Sequence, residues 1–199
     1  MRKYLFIILT ALVSCKSANQ KQNIEKENIS TRVVSAFKES IVEKIRLPKT
    51  EFEITEGGIG KILLGKPFNS IDNEFEKIDT LTMSSEGNDW PAKQIDLGNG
   101  EWILVESNDY GKTITRLHTN SKKYKTSKGF HIGQTIGEIM KTGEKVDVDV
   151  DEGFVSVRLY DEKVSVAIDS ISEKHFYKSK NQDINDIPKN AKIVDFGIF

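Results

Sequence analysis

Apolar residues recur along this chain in two rhythms. Between residues 30 and 47, Val33, Val34, Phe37, Ile41, Val42 and Ile45 fall at helical spacing, while Lys38, Glu39, Glu43 and Lys44 lie on other faces. The pattern predicts an amphipathic helix of about four turns, with Ser30 as its N-cap and Pro48 ending it by steering Leu47 away from helical geometry. Beyond residue 50 the apolar positions alternate instead, in short runs separated by Gly, Asn and Asp, which predicts strands joined by tight turns.

The alternating region says one thing twice. Ile62-Leu63-Leu64-Gly65-Lys66-Pro67-Phe68 and Phe130-His131-Ile132-Gly133-Gln134-Thr135-Ile136 align with Gly65 on Gly133, an offset of 68 positions (133 minus 65). In both, a short strand meets a glycine turn, and Pro67 or Thr135 suits the start of a helix, with Glu138 completing a capping box. Strands are then expected at 93–97, 101–107 and 112–119 in the first copy and at 145–150, 154–160 and 163–171 in the second, with residues 79–91 as an extended loop. The expected fold is α+β: two tandem strand-helix-antiparallel meander units, residues 50–123 and 124–199, preceded by the helix at 30–47. The apolar run at 193–199 adds a final strand at a sheet edge with Asp195 and Gly197 outward, and the polar stretch 172–185 is expected to be irregular.

Register follows from the turns. In the second unit Val148 is expected opposite Val157, Leu159 opposite Val164, and Asp147 opposite Arg158. In the first, an Asn99-Gly100 loop sets Leu97 opposite Trp102 and Ile95 opposite Leu104, leaving Ile103, Val105 and Ile114 on a second face for the 30–47 helix to cover.

Composition narrows the function. Hydrophobic residues are 37% and charged residues 30% with a net charge of -1, enough apolar material for a core and too little positive charge for a nucleic-acid footprint. Residues 16–28 carry one apolar branched side chain, Ile24, among Lys, Gln, Asn, Glu, Ser and Ala, and are expected to form a flexible tether. At the start, Arg2 and Lys3 precede an apolar run at 4–13, too short to span a bilayer, in the layout of a cleaved export signal. The signal closes on Leu12-Val13-Ser14-Cys15, and Cys15 is the chain's single cysteine, so a disulfide has no partner within it.

Leu12-Val13-Ser14-Cys15 resembles a bacterial lipobox. The resemblance implies cleavage between Ser14 and Cys15, removal of residues 1–14, and acyl chains such as palmitate on Cys15, with residues 15–29 as anchor and tether. Lys16 differs from the aspartate that holds such lipoproteins in the inner membrane, which favours the outer membrane facing the periplasm. The doubled strand, Leu64-Gly65 or Ile132-Gly133, helix and meander resembles the repeats of small envelope proteins, the SmpA/OmlA (BamE-like) lipoproteins and the secreted beta-lactamase inhibitor proteins. That resemblance implies a non-catalytic module that binds or assembles with another envelope protein. The alternatives are an inhibitor of an envelope or cell-wall hydrolase and an enzyme of unrecognised type.

Candidate chemistry is sparse. The run from Asp147 to Gly153 has Glu152 and Arg158 where a calcium loop needs Gly and Glu, so alternation explains it better. His118, His131 and His175 are widely separated, with no second ligand at metal spacing, and no nucleophile elbow or residue set calling for a cofactor is present. Trp102 lies in a strongly apolar strand and is expected in the core. The candidate partner-binding residues are Trp90, beside Pro91 in a polar stretch, and Phe154, Arg158 and Tyr160, which share the outer face of one strand.

Overall fold

The computed structural model describes residues 45–151 and 154–199. Cys15, Ser14, the tether and nearly all of the expected 30–47 helix lie outside these residues; Ile45, Arg46 and Leu47, its last three positions, have no regular structure.

The expected α+β class is overturned. The described residues are mostly β, with twelve strands in two sheets. β1 (Glu53–Thr55), β2 (Gly58–Ile59), β3 (Ile62–Leu63) and β8 (Lys125–Thr126) form a small sheet in the order β3-β2-β1-β8. The large sheet contains β4 (Ile78–Ser85), β5 (Asn88–Gly98), β6 (Glu101–Glu106), β7 (Arg116–Thr119), β9 (Val146–Asp151), β10 (Phe154–Leu159), β11 (Val164–Ile168) and β12 (Ile193–Ile198). Its order is β4-β5-β6-β7-β12-β11-β10-β9, so two four-stranded antiparallel runs meet through their last strands. The α-helices among the described residues are short, α1 (Ile136–Lys141) and α2 (Ser170–Lys178), and the helix expected after Gly65 is a 3-10 turn, Phe68–Asn73.

Three further local expectations differ from the structure, and the first of them adds strand where loop was expected. Residues 79–91 are not a loop but a hairpin of β4 and β5 around Glu86 and Gly87, whose positive φ angles of 49° and 78° match a tight two-residue turn. The polar stretch after residue 170 hides α2, capped by Asp169, whose carboxylate accepts from the Ser172 amide. The last strand is not at an edge: β12 lies in the middle of the large sheet, between β7 and β11.

The glycine turns do correspond. Gly65 donates to the Ile114 carbonyl and Ile114 to the Lys66 carbonyl, both at 2.8 Å; Gly133 donates to Ile193 at 2.8 Å and Ile193 to Gln134 at 2.9 Å. Gly65 and Gly133 adopt φ of 75° and 89°, a region where a side chain is strained. After Gly133, Thr135 and Glu138 form the expected reciprocal capping box.

Register explains the core. In the second run Val148 pairs with Val157, Asp147 with Arg158 and Leu159 with Val164, as the alternation predicts. In the first, the Asn99-Gly100 turn forms, but an irregularity between Asp96 and Gly98 slips the hairpin by one residue, so Ile95 pairs with Ile103 and Asp96 with Trp102. A one-residue slip exchanges faces. Ile95 therefore joins Ile103, Val105 and Leu117 on one buried face, instead of sharing the opposite face with Leu104. Trp102, expected in the core, is half-buried on the opposite face.

One continuous core joins that inner face to Ile54, Ile59 and Ile62 of the small sheet, Phe68 and Ile71 of the 3-10 turn, Ile136 and Ile139 of α1, and Phe176 of α2. At one end the loop between β10 and β11 is fastened by buried carboxylates. Glu162, fully buried, accepts from Arg46 Nη2 at 2.6 Å, Ser127 Oγ at 2.9 Å and the Lys128 amide at 3.1 Å. Glu144 accepts from the Asp161 amide at 2.8 Å and from the Lys128 ammonium, which also bridges to Asp161. Both buried acids are thus paired on both oxygens, the condition under which a carboxylate is tolerated inside.

Candidate binding face

The outer face of the large sheet, turned away from the core, carries the unusual chemistry. Strand alternation puts Trp90 (β5), Glu106 (β6), Arg116 and His118 (β7), and Asp195 (β12) there, because their neighbours Val105, Leu117 and Phe196 point inward. Phe199, following Ile198, joins them. These residues sit around the seam where β7 pairs with β12.

At the centre His118 lies between two carboxylates. Its Nε2 is 3.8 Å from Glu106 Oε1 and its Nδ1 is 3.5 Å from Asp195 Oδ1. Buried Asp195 Oδ1 makes no hydrogen bond, so the second contact is one of charge. Gly197 makes room for the ring: a Cβ there would come within 3.0 Å of His118 Cε1. Phe199 packs on the imidazole edge-to-face, with centroids 5.8 Å apart. Burial alone would push the His118 pKa down, but Asp195 and then Glu106 outweigh it and raise the value above the ordinary 6.5. Burial likewise raises Asp195, with His118 offsetting only part of the effect.

Glu106, itself buried, also accepts from Trp90 Nε1 at 2.6 Å. The Arg116 guanidinium lies 5.6 Å from the Trp90 ring and 5.9 Å from the Phe199 ring, a cation held between two aromatic surfaces. Two acids and an aromatic ring thus surround His118 and favour its protonated form, with the Arg116 cation opposing part of that effect.

The sequence-derived candidates divide. Phe154, Arg158 and Tyr160 stand in and just beyond β10 on this same face, with Phe154 74% exposed and Tyr160 47%. Arg158 Nη2 reaches Asp149 Oδ2 at 2.6 Å and Tyr160 donates to Asp147 Oδ2 at 3.3 Å, surface contacts that orient the side chains more than they stabilise. Trp90 is in a strand rather than a loop. It shares the face but sits five strands from β10, roughly 24 Å away at the usual spacing.

Residues at the seam escaped the sequence reading. His118 read as an ordinary strand histidine, and Asp195 as a water-facing position of an edge strand. The usable signal is acids placed in otherwise apolar strands, Glu106 after Ile103-Leu104-Val105 and Asp195 between Val194 and Phe196. His131 instead turns its Nδ1 to the Ile132 carbonyl at 3.1 Å, and His175 is exposed in the last turn of α2. Among the described residues no group of three or more His, Cys, Asp or Glu is arranged to hold a metal ion.

The geometry defines a mostly β protein with one large antiparallel sheet, covered on one face and aromatic and charged on the other. No protein-family model matches the sequence, and no curated protein matches it. Among solved structures, the uncharacterized protein yfeY from Escherichia coli is similar over 73% of this chain and 98% of its own, with a TM-score of 0.55 and 13% sequence identity. That likeness is one of fold.

Proposed function

We propose that this protein is a lipid-anchored protein of the bacterial cell envelope that acts without catalysis, by binding another envelope protein through the outer face of its large sheet. The composition of that face carries the reading: Trp90, Arg116, Phe199, Phe154, Arg158 and Tyr160 are the aromatic and arginine types in which binding energy concentrates. The lipobox-like Leu12-Val13-Ser14-Cys15 supports anchoring at Cys15, Lys16 after it favours the outer membrane facing the periplasm, and the resemblance to small envelope lipoproteins supports an assembly role.

One observation favours inhibition of an envelope hydrolase as the second reading. Tyr110, 93% exposed with φ of 64°, tops the loop between β6 and β7, and Asp109 braces that loop through Ser107 Oγ, the Lys112 and Thr113 amides and Thr113 Oγ1. A protruding ring on a stiff loop enters a cleft at little entropic cost.

The test is site-specific photocrosslinking in a bacterial host. Probes at Phe154 and Tyr160 should give the same adduct, and a probe at exposed Lys61, in the turn between β2 and β3, should give none. An assembly component in that adduct supports the first reading, and a hydrolase the second. Adducts that do not depend on position would remove the outer face from consideration. Labelled fatty acid should enter the wild type and not Cys15→Ala; equal labelling would end the anchoring proposal.

A further inference from the structure

The large sheet ends in two unlike edges. β9 carries Asp147 and Asp149 at alternate positions and lies beside the 3-10 turn Ile184–Asp186, so another strand arriving there meets carboxylates. β4 is eight residues long, and its sequence Ile78-Asp79-Thr80-Leu81-Thr82-Met83-Ser84-Ser85 holds one charge, no proline and no lysine. Its pairing with β5 runs without a bulge from end to end. The Lys77 carbonyl accepts from Asp96, so by alternation the odd-numbered residues of β4 bond to β5. The N–H and C=O groups of Ile78, Thr80, Thr82 and Ser84 then point away from the sheet, and no described residue bonds to them.

We propose that a second copy of this chain pairs on this edge, β4 against β4, antiparallel about a two-fold axis through Thr82. The strand is complementary to its own reverse in that register. Thr82 faces Thr82, Thr80 faces Ser84, Leu81 faces Met83, and Asp79 faces Ser85. Thr80, Thr82 and Ser84 are the residues whose backbone groups point outward, so they form the hydrogen-bonded pairs. Leu81 and Met83 fall at the closer, non-hydrogen-bonded pairs, where side-chain contact is greatest.

The neighbouring symmetric registers keep one apolar pair instead of two: a shift in one direction sets Leu81 against Leu81 but Met83 against Asp79, and in the other sets Met83 against Met83 but Leu81 against Ser85. Because the axis stands perpendicular to the sheet, outer face continues into outer face. Leu81, 37% exposed in one copy, then joins a row with Met83 and Trp90 of the other. The pairing is isologous and closes on itself, which protects an edge otherwise open to indefinite strand addition.

Two variants of the full chain and one control variant test this. Cysteine in Thr82→Cys would face its own copy at a Cα separation of about 5.5 Å, within disulfide range. Mild oxidation in cells should therefore give a covalent dimer, while Lys122→Cys, exposed elsewhere, gives no more than the wild-type chain. Thr82→Lys places two ammonium groups in opposition. In sedimentation of the full chain in mild detergent it should weaken self-association several-fold or more, with a melting curve that matches wild type at concentrations low enough for both to be monomeric. A wild-type chain that stays monomeric, a dimer indifferent to Thr82→Lys, equal crosslinking from Lys122→Cys, or a monomer that takes up an extended peptide on β4 would each overturn the proposal.

Discussion

His118 on β7 and Asp195 on β12 face each other across the seam between the two strand runs, Nδ1 to Oδ1 3.5 Å apart. A group whose pKa is higher folded than unfolded stabilises the fold below its unfolded value and loses that contribution as pH rises through its folded value. For His118 the unfolded value is near 6.5, and the folded one lies above it. Thermal stability should therefore fall as pH is raised from about 6.5 through the folded pKa. Asp195→Asn should flatten this slope and move the imidazole titration, followed by NMR, to lower pH. A wild-type imidazole titrating below 6.5 would contradict the assignment.

Glu162 ties Arg46, Ser127 and the Lys128 amide to the β10–β11 loop. Glu162→Ala strands these donors and is expected to cost about 3 kcal/mol or more in denaturant unfolding. Arg46→Ala should cost less, since the Arg46 side chain is one-third exposed and water can replace it less expensively.

The corresponding turns at Gly65 and Gly133 set up a paired comparison. A Cβ at either meets no atom within 4 Å, so Ala at each position is opposed by backbone strain alone. Each change should cost about 1–2 kcal/mol. Thr135→Ala, which removes the N-cap of α1, should cost about 1 kcal/mol. A calorimetric series of the three separates strain from capping, and a large difference between the two glycines would mean that the turns are not equivalent.

Phe176 is completely buried although α2 is otherwise polar, while Ile171 on the same helix is 80% exposed. Phe176→Ala should cost about 3–5 kcal/mol, and Ile171→Ala should stay within about 0.5 kcal/mol of wild type. Similar melting temperatures for both would show that α2 does not close the core.

Legibility in the sequence followed how many rules agreed at each place. The second strand run was readable because Val148, Val157 and Leu159 alternate cleanly with polar residues, and its register held pair by pair. The first run departs from its pattern in two places. The irregularity beside Leu97 has no composition signal to mark it. β4, an edge strand rich in Thr and Ser, has no hydrophobic alternation to display. In α2 one buried aromatic does the work that a stripe does in a longer helix. The candidate face was half legible: Phe154, Arg158 and Tyr160 follow from alternation within one hairpin. The His118 cluster depends on β12 arriving between β7 and β11, a long-range pairing that local pattern does not encode.

That central position of β12 has a consequence for how the chain folds. Leu117 pairs with Ile198 and Thr119 with Phe196, contacts separated in sequence by 81 (198 minus 117) and 77 (196 minus 119) positions. Until the final strand is inserted, β7 and β11 are both open edges, and the first run's apolar inner face borders an unfinished sheet. High contact order of this kind slows folding and prolongs exposure of strand edges. The first run, although complete early in the sequence, must wait for almost the last residues to be secured.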